Sequence, residues 1–564
     1  MASRTGLDAS PNRVPTAHST EGTFGPNSAG DLGDDDIDDD DDDVYMPVQF
    51  SPKPGARKRL SSPSWRASRR STSRHQLSRL ESMLHEEHSK ALIPAPILYA
   101  TITVALMGSF QFGWLMSQLN FRPFDDNCAL RPIPERDCIM FPGHSENEWT
   151  MAVSAWILGG AIGAMGSGYP ADKYGRQKTL LLNAIVMIAG GLLQAISSEI
   201  YLFSIGRLVS GIASGAAINV CNVLISEISP CHMRGMFSTG LQVGVAFGSL
   251  AVTTVHYVVG YGNGWRVLVG FPIVLGFIQM LLFPLTTKSP VWLIAQGDHD
   301  GALDELKRLY RPCNTDAIVN ALIAAHDEEE HEVLGINPWR ALFSKKYRKQ
   351  LIIAVVLCSA QQLCGINAIM YYSSDIFYHA GVEDPRVGNT IVNVVRTGGI
   401  LVAARIMDKV QRRTLLLNFM SLMVLASVGV VVSLTQGYSA LSIVSATIFV
   451  GAFCFSIGPM AWMVTGEIFP DFLHASAGAL GTMATWVANL LVGILYPTLS
   501  QKDVLGDYAF LIFVATLVGY TLFVYFVVPE TGQKTFDEIQ ALFNISPAPP
   551  TIDLDDADPW GEYI

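Results

Sequence analysis

Four side-chain amides stand inside stretches of sequence that are otherwise apolar: Gln361, Gln362, Asn367 and Asn489. Amides are costly against lipid, so we expect these four to face a cavity or one another. Each amide offers two donors and an acceptor, which suits an uncharged ligand rich in hydroxyl groups, such as a sugar. The alternative is that they only join helices to one another.

A second set of candidate residues is ionic and occurs twice. Asp172 and Arg176 stand four residues apart, and so do Asp408 and Arg412. This spacing supports an ion pair at the end of a helix. We interpret the pairs as a latch that holds two helical bundles in one state, with a solvated loop that only sets topology as the alternative.

The rest of the composition favours a membrane protein over an enzyme. Apolar residues make up 49% of the chain and charged residues 16%, and the mean hydropathy is +0.30. The sequence contains no metal-ligand cluster, no nucleophile paired with a base and no phosphate-binding glycine loop. We therefore expect no catalysis, no cofactor and no nucleic-acid partner, and a lipid bilayer as the surroundings.

Twelve apolar stretches are long enough to cross a bilayer as helices. The predicted spans are 97–118, 150–170, 179–197, 202–226, 236–259, 265–286, 349–377, 387–407, 413–434, 440–465, 474–497 and 507–529. They predict an all-α membrane protein of two six-helix bundles. An even number of spans places both termini on one side of the membrane.

The domain organisation follows from these spans. Residues 1–90 combine an acidic run, many serines and a basic stretch, which predicts a disordered cytosolic tail. The first bundle covers 91–287 and the second 349–530. Short cytosolic linker helices are expected at 288–348, and a cytosolic tail at 531–564.

Charge predicts the orientation. Basic residues gather after predicted spans two and eight and before span seven, which indicates cytosolic termini. No apolar core follows the first basic residues, so a cleaved signal peptide is not expected. Cys128 and Cys138 share a polar loop that then faces the oxidising side, where they form either a disulfide or two free thiols.

The two halves share a repeat. DKYGRQKTLLLN at 172–183 recurs as DKVQRRTLLLN at 408–418, each after the second span of a half. Duplicated transport proteins bind substrate between their halves near the middle of the membrane and rock around it. We therefore expect transport by alternating access.

Six segments carry a family resemblance over residues 97–543. They are GYPADKYGRQK at 168–178, GRLVSG at 206–211, SEISPCHMRG at 226–235, QQLCGINAIMYYSSDIF at 361–377, GPMAWMVTGEIFP at 458–470 and VPETGQKTFDEI at 528–539. In this order they resemble the sugar porter family of the major facilitator superfamily, especially animal-type facilitative glucose transporters. The resemblance implies the major facilitator fold and hexose transport, in a plasma membrane.

The resemblance also implies roles for particular residues. Sugar-binding positions fall on Gln242, Gln361, Gln362, Asn367, Asn393, Trp462, Trp486 and Asn489. Tyr371 and Tyr372 resemble an extracellular gate, although packing is the alternative. Gly458 and Pro459 are expected to break span ten beside the cavity. Asn393 is chosen by its neighbours, IVN, whereas the spacing back from Asp408 points to Arg396.

Two departures from the family bear on the mechanism. Leu115 stands where proton-coupled members carry an aspartate in span one, and Cys454 stands where the family carries a glutamate in span ten. Because leucine cannot take a proton, a facilitator is favoured. The alternatives are a proton-coupled symporter and a sugar sensor that does not transport. Arg396 is unusual inside a span and must face a cavity, pair or reach the membrane surface.

Overall fold

The computed structural model describes most of the chain between its two tails. The described residues are 93–120, 138, 140–259, 264–311, 318–320, 322–323, 338–501, 503–532, 534 and 536–543. The predicted tail at 1–90, most of 531–564 and Cys128 lie outside the described residues, and so does the side chain of Asp408.

Twelve helices among the described residues are long and apolar enough to cross a membrane. We number them spans 1 to 12: Pro96–Ser117, Glu146–Gly166, Arg176–Ile196, Ile200–Ile228, Met236–Val259, Trp265–Leu285, Arg348–His379, Pro385–Ile406, Arg412–Gln436, Ser439–Ile468, Ser476–Ser500 and Gly506–Val527. The predicted all-α membrane fold with twelve spans is confirmed. Spans 1 to 6 are called the first half and spans 7 to 12 the second half.

Short helices follow the apolar segments. They are Gly168–Tyr174, Pro290–Ala295, His299–Leu309, Pro338–Leu342 and Phe536–Leu542. In His299–Leu309 the Asp298 carboxylate accepts a hydrogen bond from Gly301 N at 3.0 Å and caps the first turn. Leu306 and Leu309 are buried, so they form the packed face of this linker helix.

Span 2 begins four residues earlier than the predicted 150–170. Ser145 and Glu148 form a capping box: Ser145 N donates to Glu148 Oε2 at 2.8 Å, and Glu148 N donates to Ser145 Oγ at 3.3 Å. Polar residues at the first turn satisfy backbone groups that the helix itself cannot. Hydropathy alone misses them, because it counts only apolar residues.

Span 7 is divided into two helices, Arg348–Leu363 and Ile366–His379. The chain turns at Gly365, whose φ of 94° is rarely adopted by a residue with a side chain. The sequence predicted span 7 at 349–377, and this span is confirmed, but its break at Gly365 was not predicted. A break at this depth is tolerated where the freed backbone lies inside protein or lines a cavity.

Span 10 is also divided, as expected, although the break lies at Ser456 rather than at Gly458 and Pro459. Ser456 has φ −119° and ψ −120° and separates Ser439–Phe455 from Ile457–Ile468. Pro459 then falls in the first turn of the second helix. Proline is accepted there because the N–H it lacks would have no partner within the helix.

Close glycine contacts hold spans 2 and 4 together. A Cβ added to Gly163 would lie 2.0 Å from Ile212 O, and one added to Gly215 would lie 2.0 Å from Gly160 O. These distances leave no room for a side chain, so the two backbones touch. Such approach through small residues is how membrane helices gain packing energy without help from the hydrophobic effect.

The two halves meet along spans 1, 2 and 5 of the first half and spans 7, 8 and 11 of the second. Lys173 and Arg176 lie at the junction of spans 2 and 3, and Arg412 lies at the equivalent junction of spans 8 and 9. We call this end of the bundle the basic end and the other the opposite end. The two copies of the repeated segment therefore occupy equivalent positions in the two halves.

Candidate functional site

The break in span 7 brings together the four amides singled out in the sequence. Gln361 and Gln362 end its first helix, and Asn367 begins its second. Asn489 reaches them from span 11. We call these four residues the amide cluster.

Hydrogen bonds connect the amide cluster in a chain. Gln362 Nε2 donates to Gln361 Oε1 at 3.1 Å, and Asn367 Nδ2 donates both to Gln362 Oε1 and to Asn489 Oδ1, the latter at 2.8 Å. Gln361 Nε2 donates to the carbonyl of Gly458, beside the break in span 10. The cluster thus joins both broken spans and contains no charge.

Two tryptophans predicted to bind sugar occupy different surroundings. The ring of Trp486 lies against the backbone of Gly160 in the first half and 6.3 Å from the Phe112 ring, and it is buried between the halves. Trp462 is 37% exposed and lies on the second helix of span 10, near Gly481. An open indole face is suited to the C–H groups of a sugar.

Gln242 and Asn393 come from spans 5 and 8. Gln242 is exposed on span 5. Asn393 is buried in span 8, where its Nδ2 donates to Asn389 O at 2.9 Å and its Oδ1 has no partner among the described residues. No hydrogen bond described here joins either residue to the cluster.

The two tyrosines predicted as a gate are buried next to the cluster. The hydroxyl of Tyr371 donates to Asn489 Oδ1 at 3.1 Å, and its ring lies 6.3 Å from the Trp156 ring of the first half. Tyr372 has non-helical dihedrals, and its hydroxyl donates to Gly493 O at 3.0 Å. Both are therefore fixed where span 7 bends and meets the first half.

A hydrogen-bonded group that the sequence reasoning missed closes the opposite end. We call it the asparagine lock: Asn120, Ser373, Ser374 and Asn389, all buried. Asn120 Nδ2 donates to Ser373 Oγ at 2.8 Å, and Ser374 N donates to Asn120 Oδ1 at 3.0 Å. Asn389 Nδ2 donates to Asn120 O at 2.9 Å.

The asparagine lock crosses between the halves, because Asn120 follows span 1 while the other three residues belong to spans 7 and 8. Ser154 of span 2 adds a bond to Gly493 O of span 11 at 3.3 Å. The signal in the sequence was the pair Ser373 and Ser374 that follows Tyr372. Their partner Asn120 is 253 residues from Ser373, so local pattern could not identify it. The described contacts close the opposite end.

At the basic end one predicted ion pair, Arg176 with Asp172, is present, and each of the two arginines has a further acidic partner. Arg176 Nη1 lies 3.1 Å from Asp172 Oδ1, and its Nη2 lies 2.9 Å from Glu227 Oε1. Asp172 is 75% exposed and Glu227 only 13%, so the pair with Glu227 is less screened by water. In the second half, Arg412 Nε lies 3.3 Å from Glu467 Oε1.

Glu227 ends span 4 and Glu467 ends span 10, so the repeat extends to the acidic partners. The sequence reasoning did not assign Glu227. The bonds described for Arg176 remain within the first half. Elsewhere, Cys138 is disulfide-bonded, and Cys128, its predicted partner, lies outside the described residues.

Twelve spans in two equivalent halves, with an uncharged polar cluster at the broken helices between them, define a secondary transporter of major facilitator type. Residues 101–543 match the family model described as Sugar (and other) transporter. The chain belongs to this family.

Curated relatives include proteins named "Solute carrier family 2, facilitated glucose transporter member 3". The one from Bos taurus is 31% identical over 473 residues, covering 80% of this chain and 93% of the relative. The one from Mus musculus is 32% identical over 472 residues, covering 79% and 93%. Member 14 from Homo sapiens is 31% identical over 476 residues, covering 81% and 89%.

Solved structures give the same fold. An inward open conformation of the xylose transporter XylE from E. coli matches with a TM-score of 0.66 and 23% identity, covering 79% of this chain and 99% of that chain. The proton:xylose symporter XylE bound to 6-bromo-6-deoxy-D-glucose matches with a TM-score of 0.65 and 22% identity, covering 80% and 100%.

Proposed function

We propose that this protein is a facilitative hexose transporter, with glucose as its first substrate, that works by alternating access between its halves. The observation that carries the proposal is the amide cluster at the break in span 7. Its members are neutral donors and acceptors, which match sugar hydroxyls, and the four residues come from two spans of one half. The names of the curated relatives support the same substrate class.

Binding is assigned to the amide cluster with Gln242, Asn393, Trp462 and Trp486 around it. Trp462 and Gln242 are exposed side chains, which supports contact with a solute. Trp486 contacts the first half at Gly160, so movement of the first half changes the packing of this ring. No covalent chemistry is needed, because transport requires only binding and a change in which end is open.

Gating is assigned to two places. At the opposite end, Tyr371 and Tyr372 lie beside the asparagine lock, which supports a gate there. At the basic end, Arg176 with Asp172 and Arg412 with Asp408 are proposed as the latch, and the pairs with Glu227 and Glu467 support an ionic role. A closed opposite end is one of the two states that alternating access requires.

Uniport is supported by the surroundings of Leu115 in span 1. Arg207 of span 4 donates from Nη1 to the Leu115 carbonyl at 2.9 Å, and its guanidinium lies 5.5 Å from the centre of the Trp156 ring. Within the described part of the chain, no carboxylate forms an ion pair with Arg207. Backbone oxygen and an aromatic face hold this cation, so pH has no carboxylate to titrate there.

We further propose that both termini face the cytosol and that the protein works in the plasma membrane. The basic residues of the basic end support this orientation through the positive-inside rule. We expect the disulfide of Cys138 to lie in the outer loop. Surface biotinylation of intact cells, with protease digestion of the termini before and after permeabilisation, tests both statements.

The experiment that tests the function is uptake of radiolabelled glucose into proteoliposomes, with and without an imposed proton gradient. We expect saturable uptake that reaches equilibrium and ignores the gradient. Accumulation above equilibrium that depends on the gradient would establish a proton symporter instead. Absence of saturable uptake for every hexose, with sugar binding retained, would favour a sensor.

A further inference from the structure

Arg396 is a cation in the middle of span 8 that the proposed mechanism does not use. It lies well inside the helix Pro385–Ile406. Only 9% of the residue is exposed. A charge at this depth is costly against lipid, so such a residue is expected to be paired or to serve a function.

The partners of Arg396 are neutral. Its Nη1 lies 3.3 Å from the Ser249 hydroxyl of span 5 and 3.6 Å from the sulfur of Met370 in span 7. The thioether is a weak acceptor, and the Ser249 hydroxyl donates its own proton to Gly113 O at 3.0 Å. In the described residues, no carboxylate forms an ion pair with Arg396, and Nε and Nη2 make no hydrogen bond.

The position of Arg396 relates it to the amide cluster. Met370 follows Asn367 by three residues in the same helix, and residues at this spacing are neighbours on one face. The next residue, Tyr371, bonds to Asn489. The guanidinium thus contacts a residue that lies about one helical turn from Asn367 along span 7.

A second unmatched group lies on the same face of span 8. Asn393 precedes Arg396 by three residues, and its buried Oδ1 accepts no hydrogen bond from the described part of the chain. Span 8 therefore presents an unused acceptor beside unused cationic donors. A ligand with a hydroxyl and a carboxylate satisfies both, and a guanidinium binds a carboxylate through two parallel hydrogen bonds.

We propose that the substrate class of this transporter includes hexoses that carry a carboxylate, the hexuronates, and that Arg396 binds the carboxylate while the amide cluster binds the hydroxyls. This inference rests on the proposed function, since it assigns the ligand's hydroxyls to the same amide cluster. It makes Arg396 a specificity-determining residue. The alternative ligand of the Arg396 guanidinium is an inorganic anion such as chloride. The test below distinguishes a hexuronate carboxylate from a free anion.

The test compares two inhibitors of labelled glucose uptake in proteoliposomes: D-glucuronate, and D-glucuronamide, which has the same shape without the charge. The proposal expects glucuronate to inhibit at a concentration at least tenfold lower than glucuronamide. Equal inhibition by the two compounds would overturn it. So would stimulation of glucose uptake by added chloride without any preference for glucuronate, which would assign the site to the free anion.

Variants locate the preference within the protein. In Arg396→Gln the two compounds should inhibit at equal concentrations. Arg396→Lys should retain part of the preference for glucuronate, because the charge remains while the planar guanidinium is lost. Arg405→Gln is the matched control: Arg405 lies on the same helix, is exposed and donates to Leu401 O at 3.2 Å. An unchanged preference for glucuronate in Arg396→Gln would contradict the assignment of carboxylate binding to Arg396. If that variant does not fold, the comparison of the two inhibitors in the wild type still decides the substrate class.

Failure of the inference and failure of the proposed function are separate outcomes. Saturable glucose uptake without preference for glucuronate contradicts only the inference. Absence of saturable glucose uptake by the wild type contradicts the proposed function. In that case uptake of labelled glucuronate by the same vesicles tests the inference directly.

Discussion

Asn489 accepts two hydrogen bonds at one oxygen, from Asn367 Nδ2 at 2.8 Å and from the Tyr371 hydroxyl at 3.1 Å. It therefore connects the amide cluster to a gate residue. A sugar hydroxyl both donates and accepts, so it can replace either bond without leaving a buried group unmatched. Exchange of this kind keeps the cost of emptying the site small, which a transporter needs.

Replacing Asn489 with alanine should raise the KM for glucose about tenfold or more, because a sugar hydroxyl that donates to Asn489 is left unsatisfied in the bound state, at a cost of about 1–3 kcal/mol. Labelled glucose uptake across a range of concentrations measures it. Gln350→Ala is the control: this buried amide lies on the first helix of span 7 and bonds to Gln540 at 3.1 Å. Equal effects from the two variants would argue against a binding role for Asn489.

At the scale of single residues, the sequence identified the amide cluster because amides inside apolar stretches are conspicuous. It did not identify Asn120, since one asparagine at the end of a helix has no pattern, and its partners lie in the other half. Glu227 was missed for the same reason: its pairing with Arg176 depends on two helix ends meeting in space. Tertiary contacts of this kind cannot be predicted from the local spacing of residues.

At the scale of helices, glycine contacts and helix breaks decide the geometry. Spans 2 and 4 touch through their backbones, and span 7 turns at Gly365, against which the ring of Phe513 is packed. Apolar length predicted the twelve spans well, because a bilayer requires that length. The break in span 7 was not predicted, since glycine is common in membrane helices and only the φ of 94° distinguishes this one.

Gly163→Ala should destabilise the protein, lowering its melting temperature by several degrees, because the new methyl group would lie 2.0 Å from Ile212 O and overpacking typically costs about 1–3 kcal/mol. Gly166→Ala is a close control, since this glycine is three residues further along the same helix and has open space around it. Thermal unfolding in detergent, followed by tryptophan fluorescence, compares them. Equal melting temperatures would show that spans 2 and 4 do not need this contact.

At the scale of the whole molecule, the described contacts between halves lie in the middle and at the opposite end. The asparagine lock, the Ser154 bond to Gly493 and the Gln501 bond to Glu146 at 3.2 Å all join the first half to the second. Alternating access requires these bonds to open when the basic end closes. Their strength therefore sets the balance between the two states.

Asn120→Ala should shift that balance towards a state open at the opposite end. Spin labels on cysteines introduced by Tyr201→Cys and Tyr438→Cys, both exposed and one in each half, report the separation of the halves there. We expect the population at longer distance to increase in the variant.

The control for this prediction is Asn219→Ala. Asn219 bonds within the first half, to Ala164 O at 3.2 Å and Ser167 Oγ at 2.8 Å, so its loss should leave the distance distribution unchanged. If Asn120→Ala and Asn219→Ala gave the same distribution as the wild type, the asparagine lock would not be holding the halves together.

In the proposed mechanism, one binding site opens alternately to either side of the membrane without an energy source. Counterflow tests this mechanism directly: proteoliposomes are loaded with unlabelled glucose and diluted into a trace of labelled glucose, with no ion gradient. We expect a transient accumulation of label above its equilibrium level, because outward movement of unlabelled sugar returns the site to the outside. Label that only rises slowly to equilibrium, or does not enter, would contradict it.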